Sequence, residues 1–319
     1  MKILLTAIGS FSSECAAKAL QENGHEVVGC DIYPASWLPA SRLFQKVYRA
    51  PLATNEDRYI QFLLDVCKKE GVGFLNPLTD LEIDVLNRHR AVFSDHHITL
   101  CIQSEECLAV ARDKYRLSEL FRSDSMVMVP RFTSGEELTT DFPLPAIAKP
   151  VNGRSSEGLE RLYTQQDLGR FIGKENYIIQ EMVQGDVVTV DYVRDKSGND
   201  FLIPRTEFLR TKNGAGTTVK TFHDARLAEK VSYIGAAIGV CGCINMEFIC
   251  HEGDYYLIDI NPRFSAGIAF SHLAGYDMVT SHFNCFTGKD ILPANDSQDY
   301  SDLLMCKHYN EEILSKDIQ

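Results

Sequence analysis

Basic residues are the minority in this 319-residue chain: 32 Lys and Arg stand against 44 Asp and Glu, a formal net charge of −12. A surface that negative repels phosphodiester backbones, so nucleic acid is not expected as a partner, and any anionic ligand must be met by a local cluster of cations. No C-x-x-C pair occurs among the ten cysteines, and Cys241-Gly-Cys243 lacks a second ligand pair at zinc spacing. Reduced thiols in a cytoplasmic protein are therefore expected. Long unbroken apolar runs are missing too. The opening Met1-Lys2-Ile3-Leu4-Leu5-Thr6-Ala7-Ile8 is short for a secretory signal, and the apolar stretch 231–250 is interrupted by Gly235, Gly239, Gly242, Asn245 and Glu247. No membrane partner is expected. Gly9-Ser10-Phe11-Ser12-Ser13 lacks the G-x-G-x-x-G spacing of a dinucleotide site, although Asp31 stands where a ribose acid could. His96-His97 has no third ligand in sequence, the single tryptophan (Trp37) sits in a Pro-rich loop, and there is no internal repeat.

What is present is an ordinary globular composition, 45% hydrophobic and 24% charged, laid out in two styles. Residues 2–8 are a solid apolar run, as a strand buried on both faces requires, and His25 to Ile32 is expected as a second buried strand, ending in Asp31. Between them, Cys15, Ala16, Ala19 and Leu20 fall at helical spacing and stop at Asn23-Gly24. Helices near 56–69 and 81–92 alternate with strands at 72–75 and 98–102. This alternation predicts an α/β, doubly wound parallel-sheet domain over 1–105. After two short helices, 104–112 and 114–122, the chain turns to an extended Pro-rich stretch at 130–150. Strands then crowd together at 145–149, 158–163, 177–182, 187–194 and 201–206, followed by a helix at 224–238 and strands at 243–250 and 255–260. Segregated strands of this kind predict an α+β domain over 106–290. The acidic tail, 291–319, is expected only to pack on the surface.

The chemistry concentrates in the last two strands. If 251–255 forms the loop between them, positions summing to 506 face each other, and Glu247 lies opposite Asp259. Asn261 and Arg263 then share that face, whereas a loop shifted by one residue would put the two acids on opposite sides. Two carboxylates and an amide oxygen on apolar strands are costly unless a cation neutralises them, and hard oxygen donors suit Mg²⁺ or Mn²⁺. Upstream, Lys114 follows Asp113, and Lys149 ends the apolar run Ala146-Ile147-Ala148. A lysine there is costly unless its ammonium meets an anion. Asn152-Gly153-Arg154-Ser155-Ser156-Glu157-Gly158 is a small-residue loop whose amides could wrap phosphate oxygens, although it lacks the Gly-Lys-Ser/Thr of a Walker loop. Taken singly, the hairpin reads equally as a surface element with an incidental Asp259–Arg263 ion pair, and the loop as an ordinary turn. Together they point to a nucleoside triphosphate.

In this order the pieces resemble the ATP-grasp superfamily, on the branch of the synthetase halves of the carbamoyl-phosphate synthase large subunit, over nearly the whole chain. The resemblance implies a pre-ATP-grasp domain at 1–105 and a two-lobed ATP-grasp domain at 106–290, with a small lobe at 113–182 and a large one at 183–290. It implies that Lys114 and Lys149 contact phosphates and that Ser155, Ser156 and Gly158 belong to the loop over them. Ile178 to Gly185 resembles the hinge between lobes, where Glu181, Met182 and Val183 would meet adenine. Glu247, Asp259 and Asn261 resemble the metal ligands, Arg263 the catalytic arginine of an Asn-Pro-Arg motif, and Arg205, ahead of Arg210, an anion-binding arginine. Asn76-Pro77-Leu78-Thr79-Asp80-Leu81-Glu82 resembles a strand-end loop facing the shared cleft. The family's ribose acid falls at Val187 here, with Asp186 one residue early.

The implied activity is ATP-dependent ligation: a carboxylate becomes an acyl phosphate, and an amine attacks it to give an amide, ADP and phosphate. ATP and Mg²⁺ (or Mn²⁺) are the implied cofactors, with small amino acid-like acids and amines as substrates and a homo-oligomer expected on base rate alone. Carbamoyl- or carboxy-phosphate formation from bicarbonate, and a non-catalytic ATP-binding subunit, are the alternatives. Loops 33–41, 79–82, 207–223 and 265–277 are expected to carry selectivity, and Gly214-Ala215-Gly216 suggests that part of 207–223 is mobile and orders on substrate binding.

Overall fold

The computed structural model describes residues 1–153, 157–294, 300–311 and 313. Ser155 and Ser156, expected in the phosphate loop, lie outside the described residues.

The apolar runs of the first third assemble as expected. Strands β1 (Lys2–Leu5), β2 (Glu26–Asp31), β3 (Lys46–Arg49), β4 (Phe74–Asn76) and β5 (Thr99–Leu100) form an all-parallel sheet in the order β3-β2-β1-β4-β5. Helix α1 (Ser13–Glu22) joins β1 to β2. Helices α2 (Glu56–Glu70), α3 (Asp80–Arg88) and α4 (Arg90–Asp95) carry the later crossovers, so the helix expected over 81–92 parts at His89. Side chains alternate across the sheet. Leu4, Val28 and Cys30 pack with Leu63 of α2 and Ile83 of α3, while Ile3, Leu5 and Val27 pack with Ala16 and Leu20 of α1. Strand β3 was not expected from the sequence, because Lys46-Val47-Tyr48-Arg49 is a polar edge strand without an apolar run.

Beyond α5 (Glu105–Ala111) and α6 (Lys114–Leu120), a second sheet is wholly antiparallel. It contains β6 (Phe132–Ser134), β7 (Ala146–Pro150), β8 (Glu160–Leu162) and β9 (Tyr177–Glu181) in the order β6-β9-β7-β8. Its small core includes Leu168 of α7 (Gln165–Gly169).

Among the described residues the third sheet has six antiparallel strands. They are β10 (Asp186–Arg194), β11 (Asp200–Arg210), β12 (Gly216–Thr221), β13 (Gly242–His251), β14 (Asp254–Asn261) and β15 (Leu304–Cys306), ordered β14-β13-β10-β11-β12-β15. One face is apolar: Val188, Val190, Ile244 and Met246 pack on Leu227, Val231 and Ile234 of α8 (Ala225–Ala237). Alternation sends Thr189, Asp191, Arg205, Glu207, Asn245, Glu247, Asp259 and Asn261 to the other face. Two expectations fail here. Residues 207–223 form most of the β11–β12 hairpin, and the polar tail supplies the edge strand β15. Where 265–277 was expected as loop, α9 (Ile268–Leu273) forms, followed by α10 (Met278–Phe286).

Helix α10 joins the two halves of the chain. Its Met278, Val279 and Phe283 share a core with α1, and its buried His282 accepts from the Cys243 amide through Nδ1 at 2.9 Å. Nε2 therefore carries the proton and donates to Asn76 Oδ1, also at 2.9 Å. Among the described residues, no helix is long and apolar enough to cross a membrane.

Candidate active site

The β13–β14 hairpin places its acids as the sequence predicts, by a different route. The turn is Glu252-Gly253, both at positive φ (51° and 86°), the two-residue form that suits a twisted hairpin. Its register pairs positions summing to 505, as in His251 with Asp254 and Phe248 with Leu257. Continued unbroken, that ladder would set Glu247 against Ile258. A β-bulge intervenes, leaving Ile258 as the extra residue, and the register beyond it pairs Glu247 with Asp259 and Asn245 with Asn261. The two carboxylates share one face.

The bulge also serves the lysine. Lys149 of β7 donates from Nζ to the Ile258 carbonyl at 2.9 Å, so the second sheet reaches across to the third at this point. Burial pushes its ammonium down to about 8, against the opposing pull of Asp259 and Glu247. Lys114, the first residue of α6, lies 3.1 Å from Asp259 Oδ1 and donates to the Gly153 carbonyl at 2.9 Å. It therefore links the carboxylate to the base of the small-residue loop. Gly158, at the loop's far end, has φ +70°, and a Cβ there would meet Pro150 Cγ at 2.9 Å.

Arg210 Nη2 sits 3.0 Å from Glu247 Oε2, and its Nε donates to the Gly214 carbonyl at 3.0 Å. Burial pushes the Glu247 carboxyl up, with Asp259 and Glu207 adding to the shift and Arg210 opposing it. Asn261 donates through Nδ2 to Asn245 Oδ1 at 3.1 Å and Glu247 Oε1 at 3.3 Å, while its Oδ1 accepts from Arg263 Nη2 at 3.3 Å. Among the described residues no three His, Cys, Asp or Glu side chains gather as a metal site. The donor set is instead two carboxylates and an amide, hard oxygens that repel one another and fit Mg²⁺ or Mn²⁺.

Arg205 departs from its expected place. It is 1% exposed, pairs with the fully buried Asp191 at 2.7 Å and donates to Ser265 Oγ at 3.1 Å. Its guanidinium is committed to the protein, whereas Arg210 touches the Glu247 carboxylate. Arg263 lines the same cleft as Glu247, Asp259 and Asn261. Its Nε and Nη2 both donate to Asp80 Oδ2, at 3.0 and 2.9 Å.

A cleft of about 660 Å³ runs over this face. Its walls include Glu247, Asp259, Asn261, Arg263, Arg205 and Arg210, with Gly9–Ser12 and Leu78–Leu81 of the first domain opposite. The expected strand-end loop does face the shared cleft. Lys114, Lys149 and 181–186 are not part of its lining. In the segment expected as a hinge, two amides are already used, Glu181 N–H on the Arg131 carbonyl and Met182 N–H on the Pro145 carbonyl, while Val183 is half-buried beside them. Asp186 stands on the same side of β10 as Val188, the α8 side. Val187 points with Thr189 toward the cleft, so the one-residue shift turns Asp186 away from it. Asp31 holds the first domain's loop, accepting from the Gly9 amide at 2.8 Å and the Tyr33 amide at 3.0 Å. It is not free for a ribose.

Sequence reasoning missed Asp80 as a partner of Arg263, and Thr189 and Glu207 as part of the cleft wall. For the two wall residues the signal was period two, since odd positions on β10 and β11 share the face of Glu247. For Asp80 there was only its place in the strand-end loop.

Residues 111–267 match the family model described as the ATP-grasp domain, and residues 3–101 match the PylC-like, N-terminal domain. The N-terminal section of the carbamoyl phosphate synthase large chain of Methanopyrus kandleri is 23% identical over 295 residues, covering 84% of this chain and 52% of that protein. The carbamoyl phosphate synthase large chain of Thermoplasma volcanium is 21% identical over 296 residues, covering 84% of this chain and 28% of that one. The chain spans about half, or less, of the length of these curated relatives. Among solved structures, the biotin carboxylase domain of Hydrogenobacter thermophilus 2-oxoglutarate carboxylase, with MgADP, ADP and bicarbonate, superposes with a TM-score of 0.77 at 16% identity, covering 92% of this chain and 71% of that one. N5-carboxyaminoimidazole synthetase from Staphylococcus aureus, complexed with ADP, gives 0.71 at 17% identity, covering 92% and 78%. At these identities the likeness is one of fold. The chain therefore carries an ATP-grasp domain over residues 111–267, preceded by a PylC-like N-terminal domain over residues 3–101.

Proposed function

We propose that the chain is a cytoplasmic, Mg²⁺-dependent ligase that uses ATP to activate a carboxylate as an acyl phosphate and joins it to an amine, releasing ADP and phosphate. The pairing of Glu247 with Asp259 on the cleft face, with Lys114 on Asp259 and Lys149 on the adjacent bulge, carries this reading. In this reading residues 1–105 form one wall of the site, and the lobes at about 113–182 and 183–290 close on ATP.

Glu247, Asp259 and Asn261 would hold Mg²⁺ or Mn²⁺, Asn261 presenting its oxygen once its amide turns over. The bound metal supplies charge neutralisation on the triphosphate. Lys114 and Lys149 place positive charge beside the phosphates, and the loop containing Ser155, Ser156 and Gly158 covers them. Glu181, Met182 and Val183 border the adenine. Arg263 stabilises charge on the transferring phosphoryl group, a job of positioning and electrostatics with little covalent chemistry for the protein. Arg210 is the better placed of the two candidate arginines for a phosphate. Arg205 is tied instead to Asp191 and Ser265.

Bicarbonate is the second candidate acid, favoured by the bicarbonate bound in the Hydrogenobacter thermophilus neighbour and by the carbamoyl phosphate synthase relatives. The deciding assay follows phosphate release from Mg-ATP against a panel of amino acids and amines, with and without bicarbonate. Amine-dependent ADP formation that vanishes in Arg263→Ala supports the ligase. Stimulation by bicarbonate alone selects the second acid. Intact ATP persisting on the purified chain would instead identify a nucleotide-binding subunit.

A further inference from the structure

We infer that Asp80, on the first domain, is a positioning residue for Arg263, and the inference rests on the ligase reading above. Arg263 has a long, flexible side chain, and among the described residues three groups fix it. Asp80 Oδ2 takes both Nε and Nη2, the Phe264 carbonyl accepts from Nη1 at 3.1 Å, and Asn261 Oδ1 accepts from Nη2 at 3.3 Å. Of these three, only the Asp80 contact is charged, and it comes from 183 residues away in sequence. Asp80 is itself fixed: it opens α3, where the helix dipole favours an acid, and is only 3% exposed. Arg112 braces the same helix, holding Asp84 with two bonds of 2.9 Å and approaching Asp80 Oδ1 at 3.7 Å. Burial opposes the Asp80 charge, but Arg263 and Arg112 hold its carboxyl below the usual range, so it stays an anion.

The alternative partners for Arg263 lie next to Asn261: the carboxylates of Glu247 and Asp259. Without the Asp80 charge, the guanidinium is drawn toward them and competes with the cation they are built to take. Asp80 thus does two things. It aims Arg263 along the cleft, and it keeps Arg263 off the metal ligands. Because Leu78, Thr79 and Leu81 line the same cleft, a substrate seated against the first domain touches the helix end that holds the arginine.

The test uses the full chain with Asp80→Asn, Asp80→Glu, Arg263→Ala and the double variant Asp80→Asn/Arg263→Ala. Readouts are phosphate release from Mg-ATP with whichever acid and amine the wild-type chain turns over, the Mg²⁺ concentration for half-maximal rate, and Mg-ADP binding by calorimetry. Asp80→Asn is expected to lower kcat about 100-fold, as misplacement of a reacting group does, and to raise the Mg²⁺ requirement, with Mg-ADP affinity within about three-fold of wild type. The double variant is expected to be no slower than Arg263→Ala. Should Asp80→Asn fail to fold, Asp80→Glu carries the test, with a smaller loss of kcat and a Mg²⁺ requirement near wild type. An unchanged kcat in Asp80→Asn, or a loss that adds fully to that of Arg263→Ala, overturns the positioning role alone. A wild-type chain that neither binds Mg-ADP nor turns over ATP overturns the ligase reading and this inference together.

Discussion

The ammonium of Lys149 donates to the carbonyl of Ile258 at 2.9 Å, and Ile258 is the extra residue of the bulge that brings Asp259 opposite Glu247. One local irregularity therefore sets two features of the site. It pairs the acids across the ladder and offers an acceptor to the lysine of the facing sheet. Bulges commonly re-aim side chains beside active sites, and this one joins the two sheets that, in the proposed reading, close on the nucleotide.

The Lys149 pKa gives a direct pH signature. Its folded value of about 8 lies below the ordinary 10.5, so between these limits the unfolded chain holds the extra proton and stability rises with pH. Phosphate binding needs the charged form. Mg-ADP affinity, measured by calorimetry, is expected to be level below pH 8 and to fall toward about ten-fold per pH unit above it. Lys149→Arg should remove that inflection.

Glu247→Gln separates stability from function. The wild-type carboxyl is pushed up by burial first, with Asp259 adding to the shift, so its charged form is disfavoured in the fold. The substitution is expected to keep or raise the melting temperature at pH 7 to 8 while abolishing Mg²⁺-dependent nucleotide binding. A large drop in melting temperature would show that the Arg210 pairing outweighs the burial cost.

The two arginines of β11 should behave differently. Arg205→Ala leaves the buried Asp191 side chain with Ser271 as its only hydrogen-bond partner among the described residues, a loss of about 3–5 kcal/mol by urea denaturation. Arg210 is 27% exposed in its side chain. Arg210→Ala leaves Glu207 and Glu247 without its cation, at 2.7 and 3.0 Å, so it is expected to cost some stability, less than Arg205→Ala, and to lower turnover as well.

His282 predicts acid sensitivity. Burial lowers its pKa to about 3 from 6.5, so it is neutral in the fold while the unfolded chain protonates it between those values. Stability is complete above pH 6.5 and declines as pH falls toward 3. Denaturation curves at pH 7 and pH 5 should show this decline, and His282→Gln, which cannot titrate, should flatten it at a lower overall stability.

Read alone, the sequence determined what depends on short spacing. Continuous apolar runs made the parallel sheet legible, and period-two alternation put Glu247, Asp259 and Asn261 on one face and Arg263 beside them. That arrangement survives although the turn is shorter than assumed, because the bulge compensates for the shift. Strands β3, β12 and β15 were not legible: they are short or polar and owe their pairing to neighbours rather than to their own composition. Spacing alone misplaces Arg210: five residues from Arg205 it should face the other side, and irregular pairing of β11 with β12 at Glu207–Arg210 returns it to Glu247. The hold of Asp80 on Arg263 was decided wholly by the tertiary structure. Alternation is a property of one strand, but an ion pair across 183 residues exists only because α10 and the shared core dock the first domain against the third sheet.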